Sequence, residues 1–300
     1  MNTRFLAVIN PAAGAGRCGK LAGPALERLR AQGVELDVTE TRFPGQGAES
    51  VREAYQKGYR RFLAVGGDGT SYEIVNGLFP GAESGERPTL AFLPLGTGNS
   101  FLRDFTERGL EHATEALLQG RQRPCDVLRL THRQGILHYI NLLSMGFAAD
   151  VAFTRHHRFR RLGELGYVLG LFVRLVPLKR RAFPLRVDGE TELDRRRCLL
   201  LSFNNSKFTG GRMMIAPKAD IGDGLIEYVH WGPIGRLGLI RNLRPLYDGT
   251  HIEHPLASRR AARRIDFELD APVDVMVDGE VLTLHCERLE VLPSALNVMV

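Results

Sequence analysis

The sequence lacks the cysteine patterns that mark metal-binding and redox proteins. Its four cysteines are scattered through 300 residues, and no two of them form a C-x-x-C pair. This distribution argues against a zinc site or a redox pair. We therefore expect buried, reduced thiols in a cytoplasmic protein.

Long hydrophobic runs and the Walker A motif are also missing. The longest apolar stretch, 165–177, contains Arg174 and is shorter than the roughly 20 residues that a membrane-spanning helix needs. No signal-peptide pattern precedes the first apolar run. No G-K-[ST] sequence occurs, which excludes a Walker A nucleotide site. We expect a protein that at most touches a membrane surface.

The composition is that of a folded protein with a basic excess. Hydrophobic residues make up 44% and charged residues 25%, and 300 residues suit two domains. A net charge of +6 favours contact with phosphates, anionic membranes or nucleic acid. Aromatic residues are scarce among the arginine clusters, so we expect no nucleic-acid partner.

The first part of the chain alternates short apolar runs with amphipathic patterns. These patterns predict strands at Phe5–Ile9, 34–40, 62–65 and 89–93, and helices at 17–30, 48–57, 70–78 and Leu110–Leu118. Strands and helices in alternation indicate a parallel-sheet α/β domain, which we place at residues 1–123.

The remainder predicts mostly antiparallel structure. Alternating runs predict strands at 125–131, 136–143, 183–187, 198–203, 225–230, 262–269, Val273–Val277 and 281–285, with helices near 165–175 and 234–247. Asp-Gly at 188–189 and at 278–279 indicates hairpin turns. We expect a β-sandwich domain at 124–287 that binds the substrate, a tail at 288–300 that returns to the first domain, and a ligand cleft between the domains.

Two glycine-rich loops follow predicted strands in the first part. Gly14, Gly16 and Gly19 match G-x-G-x-x-G, with Asp37 further on, which is one signature of a dinucleotide-dependent oxidoreductase. We expect these glycines to let the main chain approach a phosphate and the start of the following helix to offer free N–H groups. The second loop runs from Gly66 to Thr70 and contains Asp68. Its glycines let main-chain N–H groups face an anion, and a carboxylate beside phosphates requires a cation such as Mg²⁺.

A third loop, Pro94-Leu95-Gly96-Thr97-Gly98-Asn99-Ser100, follows the predicted strand at 89–93. Open α/β sheets bind ligands at the carboxyl ends of their strands. The three loops therefore predict one site for a phosphorylated ligand.

Together these motifs resemble the diacylglycerol kinase catalytic family, which includes bacterial lipid kinases, sphingosine kinases and ceramide kinases. The matching patterns are N-P-x-x-G at 10–14, G-G-D-G-T-x-x-E-x-x-N-G-L at 66–78, L-G-T-x-N at 95–99, G-G-x-M-x-I-A-P at 210–217, D-G-L at 223–225 and D-G-E at 278–280. The resemblance spans nearly the whole chain. It implies an NAD kinase- or phosphofructokinase-like α/β domain, and the continuation through Glu73 and Asn76 favours lipid kinases over NAD kinases. Ser100 stands where bacterial relatives usually carry Asp.

The resemblance also implies roles for individual residues. It assigns ATP binding to Asn10, Pro11, Ala12, Ala13, Gly14, Thr41, Gly66, Gly67, Asp68, Gly69, Thr70, Ser71, Tyr72, Glu73, Gly96, Thr97 and Asn99. Asp220, Asp223 and the Leu225 carbonyl match a metal site, and Glu280 matches a proton acceptor. Asp68 would help to hold Mg²⁺ on the phosphates.

We therefore expect an ATP- and Mg²⁺-dependent lipid kinase. The acceptor stays open among diacylglycerol, phosphatidylglycerol, a sphingoid base and ceramide. A kinase of another alcohol such as NAD, and less favourably a dinucleotide oxidoreductase, are the alternatives.

The basic segments 155–161 and 179–181 bracket the apolar stretch 165–177. This arrangement suits peripheral contact with an anionic membrane as well as it suits a solvated surface beside a packed helix. The oligomeric state is open, and a homodimer is one option.

Overall fold

The computed structural model describes residues 4–159 and 163–300, without the side chains of 156–157 and 163–168. The chain divides into two compact units. The first comprises Met1–Val127 and Leu292–Val300, and the second comprises Leu128–Val291.

The first unit is built on a parallel sheet. Its elements are β1 (Phe5–Ile9), α1 (Arg17–Ala31), β2 (Leu36–Glu40), α2 (Gln46–Gln56), β3 (Arg61–Gly66), α3 (Asp68–Leu78), β4 (Thr89–Pro94) and α4 (Leu110–Leu118), with short 3₁₀ helices at Gly81–Glu83 and Phe101–Asp104. The strand order is β2-β1-β3-β4, with every pair parallel. The predicted α/β fold class is confirmed.

Hydrophobic periodicity explains why these segments pack as they do. Every residue of β1 is buried, as expected of a strand covered on both faces. The helix α1 buries Cys18, Ala22, Leu26 and Leu29, whose spacing of three and four residues places them on one face. These side chains join the core that includes Phe5 and other residues of the sheet.

The second unit is rich in antiparallel β-structure. Its elements are β5 (Arg123–His132), β6 (Gly135–Tyr139), β7 (Leu142–Gly146), α5 (Phe147–Arg158), α6 (Gly163–Leu175), β8 (Arg181–Ala182), β9 (Leu185–Val187), β10 (Arg197–Cys198), β11 (Leu200–Asn204), β12 (Phe208–Thr209), β13 (Met213–Met214), β14 (Ile226–Trp231), α7 (Arg236–Arg241), α8 (Pro245–Asp248), a 3₁₀ helix (Thr250–Glu253), β15 (Ala257–Ala262), β16 (Arg264–Phe267), β17 (Val273–Val277), β18 (Glu280–Leu284) and β19 (Cys286–Val298).

Six of these strands form one antiparallel sheet in the order β15-β14-β11-β7-β17-β18. The helix α5 packs on this sheet, where Ala149 and Ala152 meet Met276 of β17. Two strands cross the division of the chain: β5 begins in the first unit, and β19 ends there, with Asn297 and Val298 pairing in parallel with β4.

Several sequence predictions in this unit are wrong in detail. The strand predicted at 136–143 is divided into β6 and β7, because the intervening N–H groups turn toward the Asp278 carboxylate. The chain on either side of the turn at 188–189 pairs only in part: Leu185 bridges to Asp194 and β8 pairs with β10. Most of the two predicted strands pairs elsewhere, β9 with β16 and β11 with β7 and β14. The helix predicted at 234–247 is two short helices, and β19 was not predicted as a strand.

The cysteines and the apolar content of the helices were two points of the sequence analysis. All four cysteines are buried and free of disulfides, and burial raises the pKa of Cys198 and of Cys286 to about 12. Among the described residues, no helix combines the length and the apolar content needed to cross a bilayer.

The contact between α2 and α3 depends on a glycine. A Cβ atom added to Gly77 would lie 2.5 Å from the Ala48 carbonyl oxygen and 2.8 Å from the Val51 Cβ. We expect Gly77→Ala to lower the free energy of unfolding by about 1–3 kcal/mol, because the helices must separate. Urea denaturation measures the loss. The control is Gly23→Ala on α1, where an added Cβ meets nothing within 4 Å; equal stability of the two variants would contradict the prediction.

Candidate active site

Three loops meet at the carboxyl ends of β1, β3 and β4, which lie side by side in the parallel sheet. The first loop is residues 10–16, the second is residues 67–70 with Gly66 at the end of β3, and the third is residues 95–100. The sequence predicted this meeting, because parallel strands end at the same edge of a sheet.

The second and third loops touch main chain to main chain. The Gly96 N–H donates to the Gly66 carbonyl oxygen at 2.7 Å. A Cβ atom on Gly96 would lie 2.5 Å from the Gly67 Cα, and one on Gly66 would lie 2.2 Å from the Thr70 Oγ1. Gly96 is required because no side chain fits between the loops, whereas Gly66 leaves room for the Thr70 side chain within the second loop.

The Asp68 carboxylate also joins these two loops. Its Oδ2 accepts the Ser100 N–H at 2.9 Å, and its Oδ1 accepts the Phe101 N–H at 3.4 Å. The pKa of the Asp68 carboxyl is raised above its ordinary value, because burial is the largest effect. The hydrogen bonds from both N–H groups and from the Ser100 hydroxyl act in the opposite direction and lower the pKa. Each carboxylate oxygen can accept more than one partner, so the ionised group can still bind a cation.

The two helices that follow glycine loops differ at their N-termini. In α1, the N–H groups of Arg17, Cys18 and Gly19 donate to carbonyl oxygens of the preceding loop. The expectation that this helix start presents open N–H groups is therefore wrong. In α3, Asp68 and Gly69 occupy the first turn, where N–H groups have no acceptor within the helix and the helix dipole favours an anion.

Glu73 supports a neighbouring helix. Its carboxylate oxygens accept the Gly45 N–H at 3.0 Å and the Gly47 N–H at 2.9 Å, at the start of α2. Asn76 in turn donates to the Tyr72 carbonyl oxygen at 2.9 Å. The continuation of the second motif thus holds α2 and α3 together, and ATP binding by Glu73 stays a prediction.

The other residues predicted to bind ATP surround these loops. Asn10 accepts the Ala12 N–H through its side chain at 3.2 Å, and the Thr41 hydroxyl donates to the Ile9 carbonyl oxygen at 3.2 Å.

Asn99, in the third loop, has a positive φ of 49° and donates to the Gly96 carbonyl oxygen at 3.0 Å. Thr97 is exposed. Pro11, Ala13, Gly14 and Tyr72 are at least partly exposed, whereas Thr70 and Ser71 are buried.

In the second unit, Asp278 fixes the turn that leads to Glu280. Its buried carboxylate accepts the N–H groups of Ile140, Asn141 and Leu142 at 3.0–3.1 Å. Asp278 and Gly279 have φ values of 47° and 91°, the conformation of a two-residue hairpin turn. Glu280 follows as the first residue of β18, with its side chain exposed.

The predicted metal ligands lie in the loop before β14. Asp220 and Asp223 are exposed, and each accepts a main-chain N–H, from Gly222 at 3.0 Å and from Leu225 at 2.9 Å. The buried Ile221 between them anchors the loop. Within the described part of the chain, no group of three or more His, Cys, Asp or Glu side chains is arranged around a metal position.

Glu280 and the Asp220–Asp223 loop lie at the same end of the six-stranded sheet but toward opposite edges of it. The loop precedes β14 and Glu280 begins β18, with β11, β7 and β17 between them. Four strand spacings, about 19 Å measured along the sheet, therefore separate the two strands. A cation at the loop would be remote from the Glu280 strand.

The sequence did not reveal three of the residues that shape these sites. Ser100 bonds to Asp68, and Arg17 donates to the Gly96 carbonyl oxygen at 2.9 Å, which links the first loop to the third. Asp278 was visible as part of an Asp-Gly turn, but its three acceptor bonds were not. All three residues lie in or beside the motifs, but the spacing of residues in a motif does not identify their hydrogen-bond partners.

Comparison with known proteins finds two family matches, one after the other along the chain. Residues 4–130 match the family model of the diacylglycerol kinase catalytic domain. Residues 141–300 match that of the YegS C-terminal NAD kinase beta sandwich-like domain.

Individual relatives match over most of their length. A Klebsiella pneumoniae (strain 342) protein assigned as a YegS-like lipid kinase is 28% identical over 91% of this chain and 89% of its own. A Mycobacterium tuberculosis diacylglycerol kinase is 27% identical over 99% of this chain and 94% of its own. A crystal structure from Bacillus anthracis, of a protein assigned as a diacylglycerol kinase, has a TM-score of 0.80 and 22% identity over 99% of this chain and 95% of that one, which is a likeness of fold.

The two matched domains, one on the parallel sheet of the first unit and one rich in antiparallel strands, define the class as kinases with a diacylglycerol kinase-type catalytic domain. Within that class, the chain belongs to the diacylglycerol kinase family, and it is a lipid kinase. The predicted family and enzyme class are confirmed.

The Asp278 contacts predict a large effect on stability. Asp278→Ala leaves the N–H groups of Ile140, Asn141 and Leu142 without this acceptor, so we expect a loss of at least about 3 kcal/mol in the free energy of unfolding. Asp278→Asn retains one oxygen and should lose less. Chemical denaturation compares both with Asp270→Ala, at an exposed carboxylate. The assignment fails if Asp278→Ala is as stable as Asp270→Ala.

Proposed function

We propose that this lipid kinase transfers the γ-phosphoryl group of ATP to the hydroxyl of a diacylglycerol-like or sphingoid lipid, with Mg²⁺ as the cofactor. Such a kinase acts in phospholipid metabolism. The observation that carries the proposal is the close contact of Gly67 with Gly96, which places the first turn of α3 beside the exposed Thr97.

The first unit supplies the phosphate-binding groups of the proposal. The N–H groups of Asp68 and Gly69 lie in the first turn of α3, where they have no acceptor within the helix and favour an anion. Thr97 offers an exposed hydroxyl from the third loop. Phosphoryl transfer requires mainly positioning and neutralisation of charge, which rigid main-chain donors provide.

The second unit supplies the proton acceptor of the proposal. Glu280 is exposed on a hairpin whose turn is fixed by the three N–H bonds to Asp278. An exposed carboxylate on a rigid turn can take the proton of the lipid hydroxyl as that oxygen attacks phosphorus. Glu280 therefore serves as the general base.

The chain also offers oxygen ligands that fit Mg²⁺. Asp68 retains acceptor capacity beside the phosphate loops, and bound Mg²⁺ would neutralise phosphate charge there. Asp220, Asp223 and the Leu225 carbonyl form a second oxygen donor set in one loop. Because that loop is remote from the β18 strand, we assign it a structural role.

Two substitutions test the assigned chemistry. Asp68→Ala and Glu280→Gln should each lower kcat by about 100-fold or more, because one removes a cation ligand and the other a general base. Turnover with ATP, Mg²⁺ and a short-chain diacylglycerol is measured beside Glu287→Gln, an exposed glutamate of the second unit. Near-normal kcat in Asp68→Ala or Glu280→Gln, in a protein that unfolds at the wild-type temperature, would rule out that residue's role.

The structural cation site has its own test. Mg²⁺ should raise the Tm of the wild-type protein, and Asp220→Asn with Asp223→Asn should abolish the part of that rise due to the loop, because binding to the folded state stabilises it. Differential scanning calorimetry without ATP separates this effect from catalysis. An unchanged Mg²⁺-dependent shift in the double variant would contradict the assignment.

A further inference from the structure

Two helices of the second unit expose apolar side chains to water. On α6 and just after it these are Leu169, Phe172, Val173 and Val176, and on α7 they are Leu237 and Ile240. Val176 and Leu237 retain 72% and 71% of their accessible surface. Single exposed apolar residues are ordinary, but a group of them marks an interaction surface. These six residues are called the α6–α7 patch below.

The inner faces of both helices are already used. Leu171 and Leu175 of α6 pack against the core that contains Ile234 and Leu239. An added Cβ on Gly170 would lie 3.1 Å from the Val151 carbonyl oxygen, so α6 approaches α5 closely. A helix that is apolar on its outer face as well as its inner face needs a second apolar neighbour.

Hydrogen bonds hold the two helices as one surface. The Arg236 guanidinium donates to the carbonyl oxygens of Leu175, the last residue of α6, and of Val176, which follows it, at 2.6–3.2 Å. Arg180 donates to the Ile234 carbonyl oxygen at 2.9 Å, just before α7 begins. The start of α7 is therefore fixed beside the end of α6, and the exposed apolar side chains of the patch are carried by two adjoining helices.

The two chain segments that carry the patch contain charge of one sign only. Residues 169–181 and 232–247 contain seven Lys and Arg residues and no Asp or Glu. Lys179, Arg180, Arg236, Arg241 and Arg244 are exposed. Arg181 is paired with Asp150, and Arg174 donates to Thr154 at 2.5 Å.

We infer that the α6–α7 patch inserts into an anionic bilayer and docks the enzyme on the membrane that contains its substrate. The membrane as partner rests on the proposed function. Apolar side chains reach the acyl boundary while basic residues meet anionic headgroups, at about 1 kcal/mol for each close cation. A second copy of the chain fits this face poorly, because pairing two such surfaces would bring cations against cations.

The inference extends the expectation drawn from the sequence. The pattern pointed to the apolar stretch and to basic segments on either side of it. The structure adds α7, whose Leu237 and Ile240 complete the apolar surface. Of the basic segment predicted at 155–161, residues 160–161 and the side chains of 156–157 lie outside the described residues.

Vesicle flotation without ATP tests the inference, using phosphatidylcholine vesicles with and without phosphatidylglycerol. The wild-type protein should float with the anionic vesicles and less so at high salt. Phe172→Glu with Ile240→Glu should reduce the partition coefficient at least about tenfold, because both charges would enter the apolar layer. The matched control is Phe43→Glu with Ile136→Glu, since Phe43 is 56% exposed against 57% for Phe172, and Ile136 is 51% exposed against 47% for Ile240.

Three results would overturn the inference: no wild-type binding to anionic vesicles, wild-type binding by the Phe172–Ile240 double variant, or equal losses in both double variants. A dimer in sedimentation equilibrium that only the Phe172–Ile240 variant loses would assign the patch to a second copy instead.

A kinase assay separates this inference from the proposed function. The Phe172–Ile240 variant should phosphorylate a monomeric short-chain diacylglycerol at the wild-type rate and lose activity only on vesicles. If vesicle binding follows the expected pattern but no lipid is phosphorylated, the proposed function fails and the docking surface stands. Equal activity of this variant and the wild type on vesicles would contradict docking as a step in catalysis.

Discussion

The contact between Gly67 and Gly96 is the constraint on which the proposed nucleotide site of this kinase depends. Two loops from neighbouring strands approach until a single Cβ atom would lie 2.5 Å from the opposite main chain. That approach places the Asp68 carboxylate against the N–H groups of Ser100 and Phe101. The loops therefore form one rigid body, and rigid donors are what phosphoryl transfer needs.

The long motif that begins at Gly66 has two physical functions. Its glycines and Asp68 shape the site, whereas Glu73 and Gly77 connect α3 to α2 through N–H bonds and a close helix contact. The same division recurs in the second unit, where Asp278 fixes a turn and Glu280 is presented beside it. In each unit, one motif contains both a residue that fixes the main chain, Glu73 or Asp278, and a residue with a proposed catalytic role, Asp68 or Glu280.

Much of this arrangement could be predicted from the sequence, and some of it could not. The strands at Phe5–Ile9 and Val273–Val277 follow directly from hydrophobic patterning, and the meeting of the three loops follows from parallel topology. The division of the strand at 136–143 could not be predicted, since it depends on a carboxylate more than a hundred residues away. The open helix start predicted at α1 was wrong, because its N–H groups bond to the preceding loop.

The most direct measurement of the central claim is transfer of labelled phosphate. Purified protein is incubated with γ-labelled ATP, Mg²⁺ and separate acceptors: diacylglycerol, phosphatidylglycerol, sphingosine, ceramide and NAD. The account predicts label in at least one lipid, none in NAD, and none in any acceptor when Asp68→Ala replaces the wild-type protein. Label in NAD alone, or in no acceptor, would contradict it.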